Sequence, residues 1–90
     1  MAKVVFTPNI QRHVACPKTE VIGQTVGEVL ENVFATNPKA RNYVLDDQSA
    51  LRKHMIIFVD GEMIADREGL TDQVNESSTV YIFQALSGGR

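Results

Sequence analysis

The spacing of apolar residues along the chain predicts, in order, strand, strand, helix, strand, short strand and strand. Met55-Ile56-Ile57-Phe58-Val59 is the most apolar run and predicts a central strand, and the β-branched, aromatic run Thr79-Val80-Tyr81-Ile82-Phe83-Gln84 predicts another. Lys3-Val4-Val5-Phe6-Thr7 opens the chain as a strand that Pro8-Asn9 ends, and Arg12-His13-Val14-Ala15-Cys16, stopped by Pro17, reads as its hairpin partner. Val26, Val29, Leu30, Val33 and Phe34 recur at helical spacing, so they share one face of a helix that needs a sheet to cover. Ahead of them, Thr25-Val26-Gly27-Glu28 matches a capping box, in which the threonine hydroxyl and the glutamate carboxylate each satisfy a backbone N–H at the helix start. Such a cap contributes about 1 kcal/mol. Asn37-Pro38 is expected to end this helix, because the residue before proline is pushed out of the α region, and Glu28, Glu31 and Asn32 are left facing water.

The remaining segments read as connections. Residues 39–54 are expected to form a loop anchored by Tyr43-Val44-Leu45, with Asp46-Asp47-Gln48-Ser49 as a polar turn. Adjacent carboxylates such as Asp46 and Asp47 usually diverge, so a solvated turn is preferred over a metal or acid–base pair. Arg52-Lys53-His54 is a short basic stretch of the kind that holds an acidic partner by rim electrostatics. Asp60-Gly61 lies between apolar runs and predicts a tight hairpin, with Met63-Ile64-Ala65 as the short returning strand. Gly69-Leu70-Thr71-Asp72-Gln73-Val74 is expected to make one helical turn under the sheet, and Asn75-Glu76-Ser77-Ser78 a polar loop that delivers the last strand.

Composition narrows the function classes. A chain of 90 residues is one domain. At that size roughly 60–65% of the unfolded surface is buried, which leaves no room for an internal active-site cleft. A net charge of −2 without clustered Lys and Arg argues against nucleic acid. No apolar run has the length of a membrane span, and the first residues lack the basic start and apolar block of a signal peptide, so no membrane role is expected and the compartment is read as cytoplasmic. The single cysteine, Cys16, makes no internal disulfide, and no Cys/His group has metal-ligand spacing. Cys16 is expected to be structural and inert, and His13 an ordinary strand residue.

Two places concentrate what chemistry the chain has. The first is Leu86-Ser87-Gly88-Gly89-Arg90, where Gly88 and Gly89 lack a Cβ and their backbone can enter a channel too narrow for other residues. A frayed terminus is the plain alternative. The second is the outer face of the sheet. Val80 and Ile82 alternate with Tyr81 and Phe83, and Ile57 and Val59 with Ile56 and Phe58, so one set packs on the helix and the other faces out. Phe58, Tyr81 and Phe83 are the candidate partner surface. The competing reading is that residues 39–54 cover them.

The layout as a whole resembles the ubiquitin-like β-grasp proteins, and among them the sulfur carriers of the MoaD/ThiS family, nearest the carrier of cysteine biosynthesis. Thr25-Val26-Gly27-Glu28-Val29-Leu30, Ile57-Phe58-Val59-Asp60-Gly61-Glu62, the polar turn before Thr79-Val80-Tyr81-Ile82, and Ser87-Gly88-Gly89 carry the likeness over nearly the whole chain. The resemblance implies an α+β fold, a mixed sheet of four to five strands packed on one main helix. Residues 1–85 would be the domain and 86–90 a flexible tail. It also implies that the chain is no enzyme and binds no cofactor itself. An adenylating partner of the ubiquitin-activating kind uses ATP on the terminal glycine carboxylate, and sulfur then replaces the adenylate to give a thiocarboxylate, which a sulfur-accepting biosynthetic enzyme consumes. Gly89 is then the acyl carrier, Gly88 its steric companion, and Leu86 and Ser87 the segment held in the channel. The family acts with glycine at the C-terminus, so either Arg90 is first removed by a processing peptidase or the chain is not a carrier. The alternative function is a ubiquitin-like interaction or conjugation module that carries no sulfur.

Overall fold

The computed structural model describes residues 1–12, 15 and 17–84. In chain order these form β1 (Ala2–Phe6), α1 (Pro8–Gln11), β2 (Thr19–Val21), α2 (Val26–Ala35), α3 (Pro38–Val44), β3 (Met55–Val59), β4 (Glu62–Met63) and β5 (Thr79–Gln84). The strands make one five-stranded sheet in the order β2-β1-β5-β3-β4. β5 is central, parallel to β1 and antiparallel to β3, so the sheet is mixed. The α+β architecture, a mixed sheet packed on a main helix, is the one the resemblance implies.

Alternation sets the two faces. Val4 and Phe6 on β1, Met55 and Ile57 on β3, and Val80 and Ile82 on β5 are all fully buried, and they pack with Val26, Val29, Leu30, Val33 and Phe34 of α2. Each such side chain removed from water contributes roughly 1.5–3 kcal/mol before the entropy of ordering it is subtracted.

The start of α2 is satisfied from both sides. Thr25 Oγ1 accepts from the N–H of Glu28 at 3.2 Å, while Glu28 Oε1 accepts from Gln24 rather than Thr25, at 2.9 Å. The N–H groups of Val26 and Gly27 donate to the carbonyls of Asp72 and Leu70 at 3.0 and 2.9 Å. Backbone donors that a helix start leaves orphaned are thereby paired with a distant loop. Leu70 takes φ 55 to present that carbonyl, while its own side chain is buried. At the other hairpin, Asp60 and Gly61 adopt φ 52 and 89, the left-handed pair that a two-residue turn requires.

Four expectations are corrected. The antiparallel partner of β1 is Thr19–Val21, and Pro8, expected to end β1 in a hairpin turn, starts a helical turn that buries Ile10. Residues 38–44 are helical rather than loop, since Asn37-Pro38 both stops α2 and starts α3: Asn37 Oδ1 accepts from Ala40 at 3.4 Å, and Ala40 and Val44 are fully buried. The returning strand is Glu62–Met63, with Ile64 going into the core. The helical turn expected over 69–74 is absent. Instead Asp66 gathers the N–H groups of Glu68, Gly69 and Thr71, and Gln73 makes an isolated bridge to Thr25. Leu70 and Val74 still reach the core. Asp46 and Asp47 do stand in a polar turn, where Asp46 Oδ1 accepts from Gln48 and Ala50 at 2.8 and 3.1 Å. The readings made for His13, Cys16 and the tail 86–90 fall outside the described residues.

Candidate functional site

The face of the sheet opposite α2 carries a continuous apolar band. Val5, Tyr81, Phe58 and Met63 are successive register partners across β1, β5, β3 and β4. Ile56 and Phe83, paired one step along, widen it. The ring centroids of Phe58 and Phe83 lie 5.2 Å apart, as do those of Tyr81 and Phe83, both pairs tilted by 41°. Tilted pairs at this distance are attractive, so the three rings hold one another in place before anything binds. Tyr81 is 42% and Met63 56% exposed, while Phe58 and Phe83 are half-buried against their neighbours. Residues 39–54 do not cover the band's centre. Their helix, α3, packs on α2, and Ala40 and Val44 join the core on that side.

Lys3 and Glu20 sit opposite one another on β1 and β2, beyond the apolar part of the face. An apolar centre bordered by charges is the composition of a protein-binding patch rather than of a catalytic site. Among the described residues, no group of three or more His, Cys, Asp or Glu is placed to hold a metal ion, and no helix is long and apolar enough to cross a membrane.

β5 brings the two candidate regions together. It supplies Tyr81 and Phe83 to the band, and the chain continues from its last residue, Gln84, toward the glycine pair. Gln84 is the register partner of Met55, the first residue of β3. Tyr43 of α3 donates its hydroxyl to Gln84 Oε1 at 2.8 Å. Leu86, Ser87, Gly88, Gly89 and Arg90 lie outside the described residues. Sequence reasoning found Phe58, Tyr81 and Phe83 on one face through their alternation. It missed Val5 and Met63, which the registers through β5 and the Asp60-Gly61 turn add, and it missed Tyr43, whose partner is 41 residues away.

At the far end of β5 the carboxylate of Asp60 fixes the start of the strand. It accepts from the N–H of Thr79 at 2.9 Å and from the buried Ser78 hydroxyl at 2.8 Å. Those two donors, Thr79 first, hold the Asp60 carboxyl below its ordinary value. Asp66 is lowered in the same way, chiefly by the Thr71 hydroxyl and then by the N–H of Gly69.

A mixed sheet with this strand order, crossed by a capped helix, is the ubiquitin-like β-grasp architecture. The chain belongs to the ThiS family, whose model matches residues 10–89, and it is a ubiquitin-like protein of the sulfur-carrier type. Among solved structures it is similar to the complex of BexX and CysO from Amycolatopsis orientalis, at 25% identity over 99% of this chain and 100% of that one, with a TM-score of 0.78. CysO from Mycobacterium tuberculosis matches at 20% identity over 96% and 100% of the two chains, TM-score 0.79. SAMP1 from Haloferax volcanii matches at 21% over 98% of each, TM-score 0.77, and these last two likenesses speak for the fold. Comparison with curated proteins gives no match.

Proposed function

We propose that the chain carries sulfur on the carboxylate of Gly89 and donates it in a biosynthetic pathway, cysteine biosynthesis being the first to examine. Cleavage of the Gly89–Arg90 bond by a peptidase exposes that carboxylate. One carboxylate oxygen attacks the α-phosphorus of ATP held by an adenylating partner, which gives the acyl adenylate and releases pyrophosphate. Hydrosulfide then attacks the carbonyl carbon, AMP departs with the bonding pair, a proton is lost, and the thiocarboxylate remains for a sulfur-accepting enzyme. Both catalysis and ATP belong to the partner. What this chain supplies is reach and position, since the reacting carbon must be brought against the nucleotide. Gly88 and Gly89 keep the thread thin, and Leu86 and Ser87 are the stretch gripped behind it. Phe58, Tyr81 and Phe83 are the surface on which the partner seats. The setting is the cytoplasm.

The observation that carries this reading is the ThiS family match extending through Gly89, the second glycine of the pair. A second reading, an interaction or conjugation module without sulfur, rests on the exposed aromatic band alone, which offers a protein partner a contact surface and makes no demand on the tail. Intact-mass analysis of the protein isolated from its own organism during sulfur demand separates the two. The carrier reading expects a species ending at Gly89, part of it with sulfur in place of one oxygen. Retention of Arg90 in all of the protein would leave the interaction module.

A further inference from the structure

Charge is segregated along the axis of β5. At the strand's start stand Asp60 and Glu62 of the hairpin and Glu76 of the preceding loop. Lys3 and Glu20, register partners of each other, also lie toward that start, Lys3 opposite Thr79. The other end, where the chain runs on past Gln84, is bordered chiefly by segments that contain no acidic residue: 6–19, 32–45 and 50–59. Several contacts bring those segments together there. The N–H of Thr7 donates to Ile82 at 3.1 Å, so α1 and the exposed Arg12 after it lie beside the end of β5. Thr19 is the partner of Val4, which puts the exposed Lys18 toward the same end. Met55 is the partner of Gln84, which places Arg52, Lys53 and His54 on the other flank. Arg67 joins them, its guanidinium donating to the carbonyls of Arg52 and Lys53 at 2.8 and 3.3 Å. Asn37 Nδ2 donates to the Ala15 carbonyl at 2.7 Å, and Arg52 Nε to the Asn42 carbonyl at 3.0 Å, so α3 closes the arc. Asp46, Asp66 and Glu68 share a hollow with Lys53 and Arg67 and offset part of the charge on that flank, while the oxygens of Asp46 and Asp66 are held by donors of their own turns.

We propose that this end of the sheet is a cationic collar that docks an acidic protein surface, the carboxylate-lined mouth through which the adenylating partner receives the chain beyond Gln84. This rests on the carrier reading for the identity of the partner, not for the existence of the collar. In a chain of net charge −2, a locally basic end orients the approach: it is drawn to an acidic mouth while the opposite end is repelled. The aromatic band supplies contact area, and the collar supplies direction. A nucleotide-binding role is less favoured, because the cations flank the strand end on separate elements instead of converging as a phosphate cradle does.

The test is stopped-flow association of the chain ending at Gly89 with its cognate adenylating enzyme, at low and high salt. Arg12→Glu with Lys53→Glu changes an exposed residue on each flank. The pair should lower the association rate about tenfold at low salt, with little change in dissociation and with the deficit shrinking at high salt. Glu62→Lys with Glu76→Lys shifts net charge equally the other way at the far end and should leave the rate within about twofold. An unchanged rate for the first pair, or an equal and opposite response to the second, overturns the collar. So does a raised KM for ATP with unaltered association, which would assign the cations to the nucleotide. Salt-dependent binding by a chain that never forms an adenylate would sink the carrier reading while the collar stands.

Discussion

Tyr43 and Gln84 meet across 41 residues of sequence: the phenol hydroxyl of α3 donates to the side-chain oxygen of the last residue of β5, at 2.8 Å. The bond ties α3 to the point where the chain leaves the sheet. Tyr43→Phe keeps the ring against the core and removes only the donor. Denaturant unfolding should show a loss of about 0.5–1.5 kcal/mol with an unchanged m-value. No loss would mean that water replaces the hydroxyl at no cost.

Tyr81 is the most open of the three rings, and it stands between Val5 and Phe58 in the band. Tyr81→Asp puts a charge at the centre of the proposed contact without opening the core. Titration calorimetry with the adenylating partner should show affinity reduced at least about tenfold, the scale of an aromatic anchor, while the melting temperature moves by only a few degrees. Unchanged affinity would remove the band from the interface.

Gly23 is required by close packing. A Cβ there would lie 2.7 Å from Val29 Cγ2 and 2.9 Å from the Val29 backbone nitrogen, and the second contact is with the backbone of α2 rather than a flexible side-chain end. Gly23→Ala should destabilise the fold by about 1–3 kcal/mol in thermal or denaturant unfolding. A stability equal to the parent would show that α2 shifts freely.

Asp60 and Asp66 both have folded-state pKa values below their ordinary ones. A depressed carboxyl contributes stability that is present above its unfolded pKa and is lost as pH falls through the folded value. The protein should therefore lose stability as pH drops below about 4, the ordinary carboxylate range. Asp60→Asn, which keeps an acceptor but no titrating group, should flatten that dependence in unfolding experiments across the acid range. An identical acid profile in the variant would assign the effect to other carboxylates.

What was legible in the sequence was what local chemistry decides. Thr25 and Glu28 marked the start of α2, the apolar spacing from Val26 to Phe34 marked its buried face, and Asp60-Gly61 marked the β3–β4 turn. Alternation in β3 and β5 separated Ile57, Val80 and Ile82 from Phe58, Tyr81 and Phe83. The failures have local causes too. Asn37-Pro38 carries a stop signal and a start signal at once, and the stop taken alone predicts a loop where α3 begins. Thr19–Val21 is three residues with none fully buried, a weaker pattern than the stretch before Pro17. The parallel pairing of β1 with β5, which sets the band's register, is contact between chain ends and leaves no local trace. For the same reason the basic stretch at Arg52 could be seen in sequence, but not that Arg12 and Lys18 stand on the opposite flank of the same strand end.

The central claim is that the Gly89 carboxylate is charged with sulfur. The most direct measurement is intact mass after incubation with the cognate adenylating enzyme, ATP and sulfide, for the chain ending at Gly89 beside the chain that retains Arg90. The account predicts exchange of one oxygen for sulfur in the first and no change in the second. Sulfur incorporation that ignores Arg90, or none in either chain while the enzyme charges another carrier, would contradict it.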